Sequence, residues 1–265
     1  MLLENKNAVI YGGGGAVGGA VARAFAREGA ALFLAGRTLA RLDQVAQEIS
    51  AAGGKAETAE VDAMDERAVD RHAHAVSARA GGIDIAVNAV GIAHVQGTPF
   101  AELSFEDYAH PITAYTRMNF LTAKAVARHM ARQGSGVILL LAPGPGARLS
   151  GRGFLGNGVS AAAVEALSRI LAGELAPSGI RVNCLRPHAI PEAMATSHTR
   201  RLFDGMAGLS GLTTEAWLSG LASTTLLGRL PTLADAADYA AFVASDRASA
   251  VTGTVANLTS GAIVD

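Results

Sequence analysis

The hydrophobic positions of this chain follow two alternating rhythms. Ala8-Val9-Ile10-Tyr11 is a short apolar run that enters a glycine cluster, after which Val17, Val21 and Phe25 recur with Arg23, Arg27 and Glu28 off their face. An apolar run bounded by turn residues reads as a buried strand, and apolar spacing near 3.6 residues reads as an amphipathic helix. Gly29 closes that helix, residues 31–35 form a second apolar run, and Leu39, Leu42, Val45, Ala46 and Ile49 mark a second helix ending at Gly53-Gly54. Glycine just past the last periodic position is a helix stop. Further strands are expected at residues 56–61, 83–90, 137–142, 181–185 and 255–258, separated by helix-length segments. Short buried strands alternating with helices predict a doubly wound parallel sheet with right-handed crossovers and helices on both faces. Ser104-Phe105-Glu106-Asp107 carries a helix-capping pattern, and Pro111 is expected to restart or kink the helix it begins.

Composition narrows the function. With 265 residues and no linker, one α/β domain spanning residues 1–265 is expected. A net charge of −1 and 5% aromatic residues give no electrostatic or stacking reason to expect a nucleic acid or an anionic membrane as partner. Small molecules are the expected ligands. The single Cys184 forms no intrachain disulfide and the residues from Met1 to Asn7 lack a secretory pattern, so a cytoplasmic setting is expected. No cluster of histidines and cysteines has metal-ligand spacing.

The first chemical signal is Tyr11-Gly12-Gly13-Gly14-Gly15-Ala16-Val17-Gly18, placed between a strand and a helix. Glycines there allow a sharp turn and close approach of backbone to a pyrophosphate, which the amides and dipole of the following helix attract. This context predicts a Rossmann-type dinucleotide site. Its register stays open: one reading places Ala16 where a middle glycine is usual, whereas in the other Gly12, Gly15 and Gly18 all match. The second strand ends in Gly36-Arg37 rather than an acid. An acidic residue there would accept from a ribose 2′-hydroxyl, whereas arginine can clamp a 2′-phosphate, so NADP(H) is favoured over NAD(H).

Taken together these motifs resemble the short-chain dehydrogenase/reductase family over essentially the whole chain. Val61-Asp62 is similar to the third-strand end whose aspartate contacts adenine, and Val87-Asn88-Ala89-Val90-Gly91 to the segment that supports the sheet and lines the cofactor. Met118-Asn119 resembles the family's helix asparagine, and residues 180–187 the strand leading to the nicotinamide-side turn, with His188 where glycine is usual. The resemblance implies a cofactor site of Gly12, Gly15, Val17, Gly18, Arg37, Asp62, Asn88, Gly91, Pro187 and Ile190. It also implies a homodimer or homotetramer built on the helices around Asn119 and Ala161 and on the last strand. Residues 192–225 correspond to the family's substrate-covering insert, with Phe203, Met206, Leu209, Leu212 and Trp217 making it moderately apolar.

The departures concern chemistry. Where the family carries serine, tyrosine and lysine, this chain carries Pro143, Asn157 and Ala161. Realignment does not restore them, because the only lysines are Lys6, Lys55 and Lys124 and no tyrosine lies between Tyr115 and Tyr239. In the family the tyrosine exchanges a proton with the substrate oxygen while the lysine lowers its pKa. An asparagine amide hydrogen-bonds but does not titrate near neutrality. The candidates for a substitute are Asn119, His94, His188 and Tyr115, each with a structural reading beside the catalytic one. Arg148 and Arg152 are candidates for neutralising an anionic substrate, and Cys184 reads as a small apolar filler. Two classes follow: an atypical NADP(H)-dependent oxidoreductase, reducing a conjugated alkene or another small apolar substrate through a non-standard proton donor, or a catalytically silent nucleotide-binding or oligomeric scaffold.

Overall fold

The computed structural model describes residues 1–145, 148 and 151–265. Strands β1 (Asn7–Tyr11), β2 (Ala31–Gly36), β3 (Lys55–Glu60), β4 (Ile85–Asn88), β5 (Gly136–Leu141), β6 (Ile180–Pro187) and β7 (Val255–Leu258) form one sheet in the order β3-β2-β1-β4-β5-β6-β7. Every recorded strand pair is parallel, with Val9 beside Phe33 and Ala86 in the central register. The chain winds outward from β1 to β3 and then returns to place β4 on the other side of β1. That reversal opens a crevice at the carboxyl ends of β1 and β4, the place where doubly wound sheets bind ligands.

Helices α1 (Ala16–Arg27), α2 (Leu39–Ala51) and α8 (Leu233–Ala244) cover one face, and α3 (Glu66–Ala80), α4 (Phe105–Gln133) and α5 (Leu155–Leu175) cover the other. Each face has its own core: Ile10, Leu34 and Leu139 point toward α1, whereas Val9, Tyr11 and Leu140 point toward α3 and α4. Alternate residues of one strand thus feed opposite layers, as the two-residue period of a strand requires. Helices α6 (Thr199–Leu209) and α7 (Thr214–Ser223) form the insert over the crevice.

Two expectations are corrected. The third strand is not buried: Lys55, Glu57 and Glu60 are exposed, because β3 is the sheet edge, where charged residues discourage pairing with another chain. Helix α4 runs unbroken through Pro111 instead of restarting there, its start capped by Ser104 Oγ accepting from the Asp107 amide at 3.1 Å. Close packing of α5 accounts for its persistence, since a Cβ on Gly156 would lie 2.9 Å from the Tyr108 carbonyl oxygen and 3.0 Å from Pro111 Cγ. No helix among the described residues is long and apolar enough to cross a membrane.

Candidate active site

A cavity of about 800 Å³ lies at the carboxyl ends of the strands, between the glycine loop, the strand exits and the insert. Its floor is set by backbone sterics. Gly12 has φ +82°, and a Cβ there would lie 2.7 Å from the Ala89 carbonyl carbon, so only glycine lets β1 turn against the β4 exit. A Cβ on Gly18 would collide with the Gly12 carbonyl. Gly15 caps α1 without a side chain, leaving its first-turn amides available to an anion. The cradle therefore fits a pyrophosphate. Ala16 packs its methyl group with Ile190, Ala193 and Ala236, which explains how alanine is accepted where one reading expected glycine.

Gly12, Gly15, Val17, Arg37, Asp62, Gly91, Pro187 and Ile190 all line this cavity, whereas Gly18 acts beneath it through the loop. Asn88 does not reach it. Its amide donates to Thr122 Oγ1 at 2.9 Å and its oxygen accepts from the Val90 amide at 3.1 Å, so it braces β4 against α4. Asp62 accepts from the Met64 amide at 2.9 Å, shaping its own turn at the rim. Arg37 is exposed at the opposite rim, where the structure adds a second guanidinium: Arg41 donates to the Thr196 carbonyl of the insert at 3.2 Å. Among the described residues neither arginine is paired with a carboxylate. The four-residue spacing of two arginines was visible in the sequence; their shared rim was not.

The other end of the cavity holds the substitute candidates. Asn157 donates to the Pro143 carbonyl at 3.0 Å, and a Cβ on Gly144 would sit 3.2 Å from the same amide nitrogen, so the β5 exit faces Asn157 with backbone and no hydroxyl. Ala161, one turn further along α5, is sealed in the core. Asn119 is not on the cavity wall: its amide folds back onto the Tyr115 carbonyl at 2.8 Å, and its Oδ1 is buried without a partner. Tyr115 does line the cavity, but burial pushes its phenol up to about 12, opposed only by a hydrogen bond with the Ile92 backbone, which lowers it. It is held as a phenol.

The histidines differ in the same way. His94 Nδ1 lies 3.1 Å from the Ile92 carbonyl, an acceptor only, so that nitrogen carries the ring proton; Nε2, 2.9 Å from the Gln96 amide, is the acceptor. Both nitrogens are engaged. His188 Nδ1 accepts from the Ala189 amide at 2.7 Å, which places its proton on Nε2, and among the described residues that nitrogen has no hydrogen-bond partner. Burial lowers the pKa of both rings, so both are neutral at pH 7. A third imidazole, His198 of the insert, also lines the cavity and sits where a Cβ on Gly91 would lie 2.6 Å from its Cε1. Nothing in the sequence separated it from other loop histidines.

The arginines proposed for an anionic substrate are elsewhere. Arg148 pairs with Asp265 at 3.3 Å and donates to the Val264 carbonyl at 3.3 Å, while Arg152 is exposed and off the wall. The substrate end thus combines Phe154, Phe203, Trp217 and Leu221 with neutral polar groups. Cys184 is buried with its thiol pushed up to about 12, chiefly by burial, as expected of a filler.

The family model for enoyl-(acyl carrier protein) reductase matches residues 14–262. The chain belongs to the short-chain dehydrogenase/reductase family of oxidoreductases. Among curated relatives of this short-chain dehydrogenase/reductase, oxidoreductase UcpA of Salmonella typhimurium is 30% identical over 95% of this chain and 92% of its own. The galactitol 2-dehydrogenase (L-tagatose-forming) of Cereibacter sphaeroides is 32% identical over 96% of this chain and 93% of its own. Among solved structures, a short-chain type dehydrogenase/reductase from Mycobacterium ulcerans has a TM-score of 0.86 at 28% identity, covering 99% of this chain and 91% of that one. The NAD+-bound xylitol dehydrogenase shares the fold, with a TM-score of 0.91 at 24% identity over 98% of this chain and 100% of that one. Nicotinamide cofactors and small-molecule substrates are the family's common property.

Proposed function

We propose that this oxidoreductase uses NADP(H) in preference to NAD(H) and reduces a conjugated alkene on a small, apolar, uncharged substrate, with His188 donating where the family tyrosine is absent. The observation that carries the reading is a fitted pyrophosphate cradle in the same cavity as Asn157, which supplies no titratable group, with Ala161 in the core behind it. Gly12, Gly15 and Val17 would hold the pyrophosphate, Arg37 the 2′-phosphate, Asp62 and Gly91 the adenosine side, and Pro187 and Ile190 the nicotinamide side. The bound reduced cofactor supplies a hydride.

Conjugate reduction suits what remains. Hydride adds at the β-carbon and negative charge develops on the substrate's carbonyl oxygen, so a neutral donor aimed at that oxygen stabilises the transition state, and a proton from solvent completes the reduction at the α-carbon of the enolate. His188 Nε2–H is such a donor, held in one tautomer by the Ala189 amide. His94 orients the wall, and the apolar rings of the insert exclude water from the site. The description of the matched family model, an enoyl reductase, supports an alkene, and the absence of a cation at the substrate end among the described residues supports an uncharged group.

The test is NADPH oxidation with a panel of enones, enoyl thioesters, ketones and polyol-derived keto sugars, in wild type, His188→Ala and His94→Ala. Turnover of an enone that collapses in His188→Ala supports the reading; ketone reduction indifferent to His188 would overturn it. Tight NADPH binding without turnover of any substrate would restore the scaffold reading. We also propose a homodimer or homotetramer through α4 and α5, whose exposed Phe105, Phe120, Val159 and Ile170 are apolar. Light scattering that reports a monomer would remove it.

A further inference from the structure

The insert is one connected piece with a contact at each end. Ser197 Oγ donates to the Ala193 carbonyl at 2.7 Å and accepts from the Thr199 amide at 3.2 Å, which fixes the approach to α6. At the near end, the Thr196 carbonyl accepts from Arg41 across the mouth of the cavity. At the far end, Phe203 of α6 packs against Trp217 of α7, with ring centroids 5.4 Å apart, at the substrate end. Arg41 in turn rests on the glycine loop, since a Cβ on Gly14 would lie 3.0 Å from Arg41 Cβ. One arginine therefore touches the nucleotide cradle, the rim that carries Arg37, and the insert that covers the substrate.

We propose that Arg41 couples occupancy of the ribose 2′-phosphate site to closure of the insert over the substrate. The proposal rests on the NADP(H) reading. Among the described residues the exposed Arg41 guanidinium is bound only to a neutral carbonyl, which it holds weakly, and Arg37 adds a second positive charge to the same rim, a like-charge pair that opposes ordering of either side chain. A phosphate between them removes the repulsion, fixes the Arg41 fork, and leaves its remaining N–H groups aimed at Thr196, because guanidinium offers five donors in a rigid plane. NADP(H) then closes the site, whereas a nucleotide lacking the 2′-phosphate binds without closing it. Arg41 is a positioning residue in this scheme and touches no reacting atom.

Trp217 is the sole tryptophan of the chain, so its emission reports the insert. The probes are adenosine 5′-monophosphate and adenosine 2′,5′-bisphosphate, which differ only in the 2′-phosphate, with affinity read by calorimetry and closure by Trp217 fluorescence. In wild type the bisphosphate is expected to bind about tenfold tighter, as one or two charge-assisted hydrogen bonds imply, and to shift the emission, whereas the monophosphate leaves it unchanged. Arg41→Ala should bind the bisphosphate through Arg37 but show no emission shift at saturation. Arg37→Ala should bind it weakly yet shift the emission fully at saturation. A full shift in saturated Arg41→Ala, or an equal shift with the monophosphate in wild type, would overturn the coupling alone. Equal affinity of wild type for both nucleotides would overturn the NADP(H) reading and the coupling with it.

Discussion

The two sides of the crevice carry the same architecture and opposite histories of constraint. On the β1–β2 side, function is a property of the backbone: Gly12 and Gly18 tolerate no Cβ, and the α1 amides are uncapped, so the phosphate cradle cannot be lost without deforming the fold. On the β5–β6 side, function is a property of side chains that the fold does not need. Asn157 and Ala161, which the sequence resemblance aligns with the family's tyrosine and lysine, sit in an intact α5, Asn157 bonded to Pro143 and Ala161 packed in the core. A helix-forming pattern tolerates a change of such side chains, whereas a glycine turn does not tolerate a change of the glycine.

The largest effect that would sharpen this contrast is at His188. Replacing it with alanine should lower turnover by about 10² to 10³, or roughly 2.7 to 4 kcal/mol of barrier, as for loss of one preorganised hydrogen-bond donor to a developing oxyanion. NADPH affinity measured by calorimetry should be unchanged in the same variant. Next is a cost hidden on the cofactor side, where His72 packs edge-on against Tyr11 with ring centroids 5.7 Å apart. Burial holds the His72 pKa at about 4, below its ordinary 6.5. The unfolded chain therefore binds the extra proton first, and the stability present above about pH 6.5 falls as pH drops toward 4, by at most about 1.4 kcal/mol per pH unit. Urea melts across that range should show the slope, and His72→Asn should flatten it.

Gly18→Ala should cost about 1 to 3 kcal/mol in stability through overpacking and should abolish detectable NADPH binding. A variant that binds NADPH normally would break the claim that this side is held by backbone sterics. Arg37→Glu is expected to weaken NADPH about tenfold or more while sparing NADH, in line with the loss of one charge-assisted contact. Equal effects on both cofactors would remove the 2′-phosphate assignment. The smallest effect is expected from Asn157→Tyr, which should give no measurable carbonyl reduction, because Ala161 leaves the new phenol without a lysine to lower its pKa.

Strand and helix periodicities made the fold legible as a seven-stranded, doubly wound parallel sheet with helices on both faces, because burial on both faces leaves little choice of period; the strand order came from the structure. The expectation failed at β3, where an edge position, not an apolar run, sets the pattern, and at Pro111, where packing of α5 holds a helix that local chemistry would end. The glycine loop and Arg37 were legible because their signal is local. The partners of Asn88 and Tyr115 were not, since each is decided by a group that the fold brings near: Thr122 Oγ1 and the Ile92 backbone. His198 reached the cavity through the path of the insert, and Arg41 of α2 meets the insert there at Thr196; no spacing rule places an insert over a crevice.

The most direct test of the central claim, a working NADP(H) cradle beside a site stripped of the tyrosine and lysine, is a calorimetric titration of the wild-type protein with NADPH and, in parallel, NADH. The account predicts micromolar binding of NADPH and weaker binding of NADH. Binding of neither, or tighter binding of NADH, would contradict it.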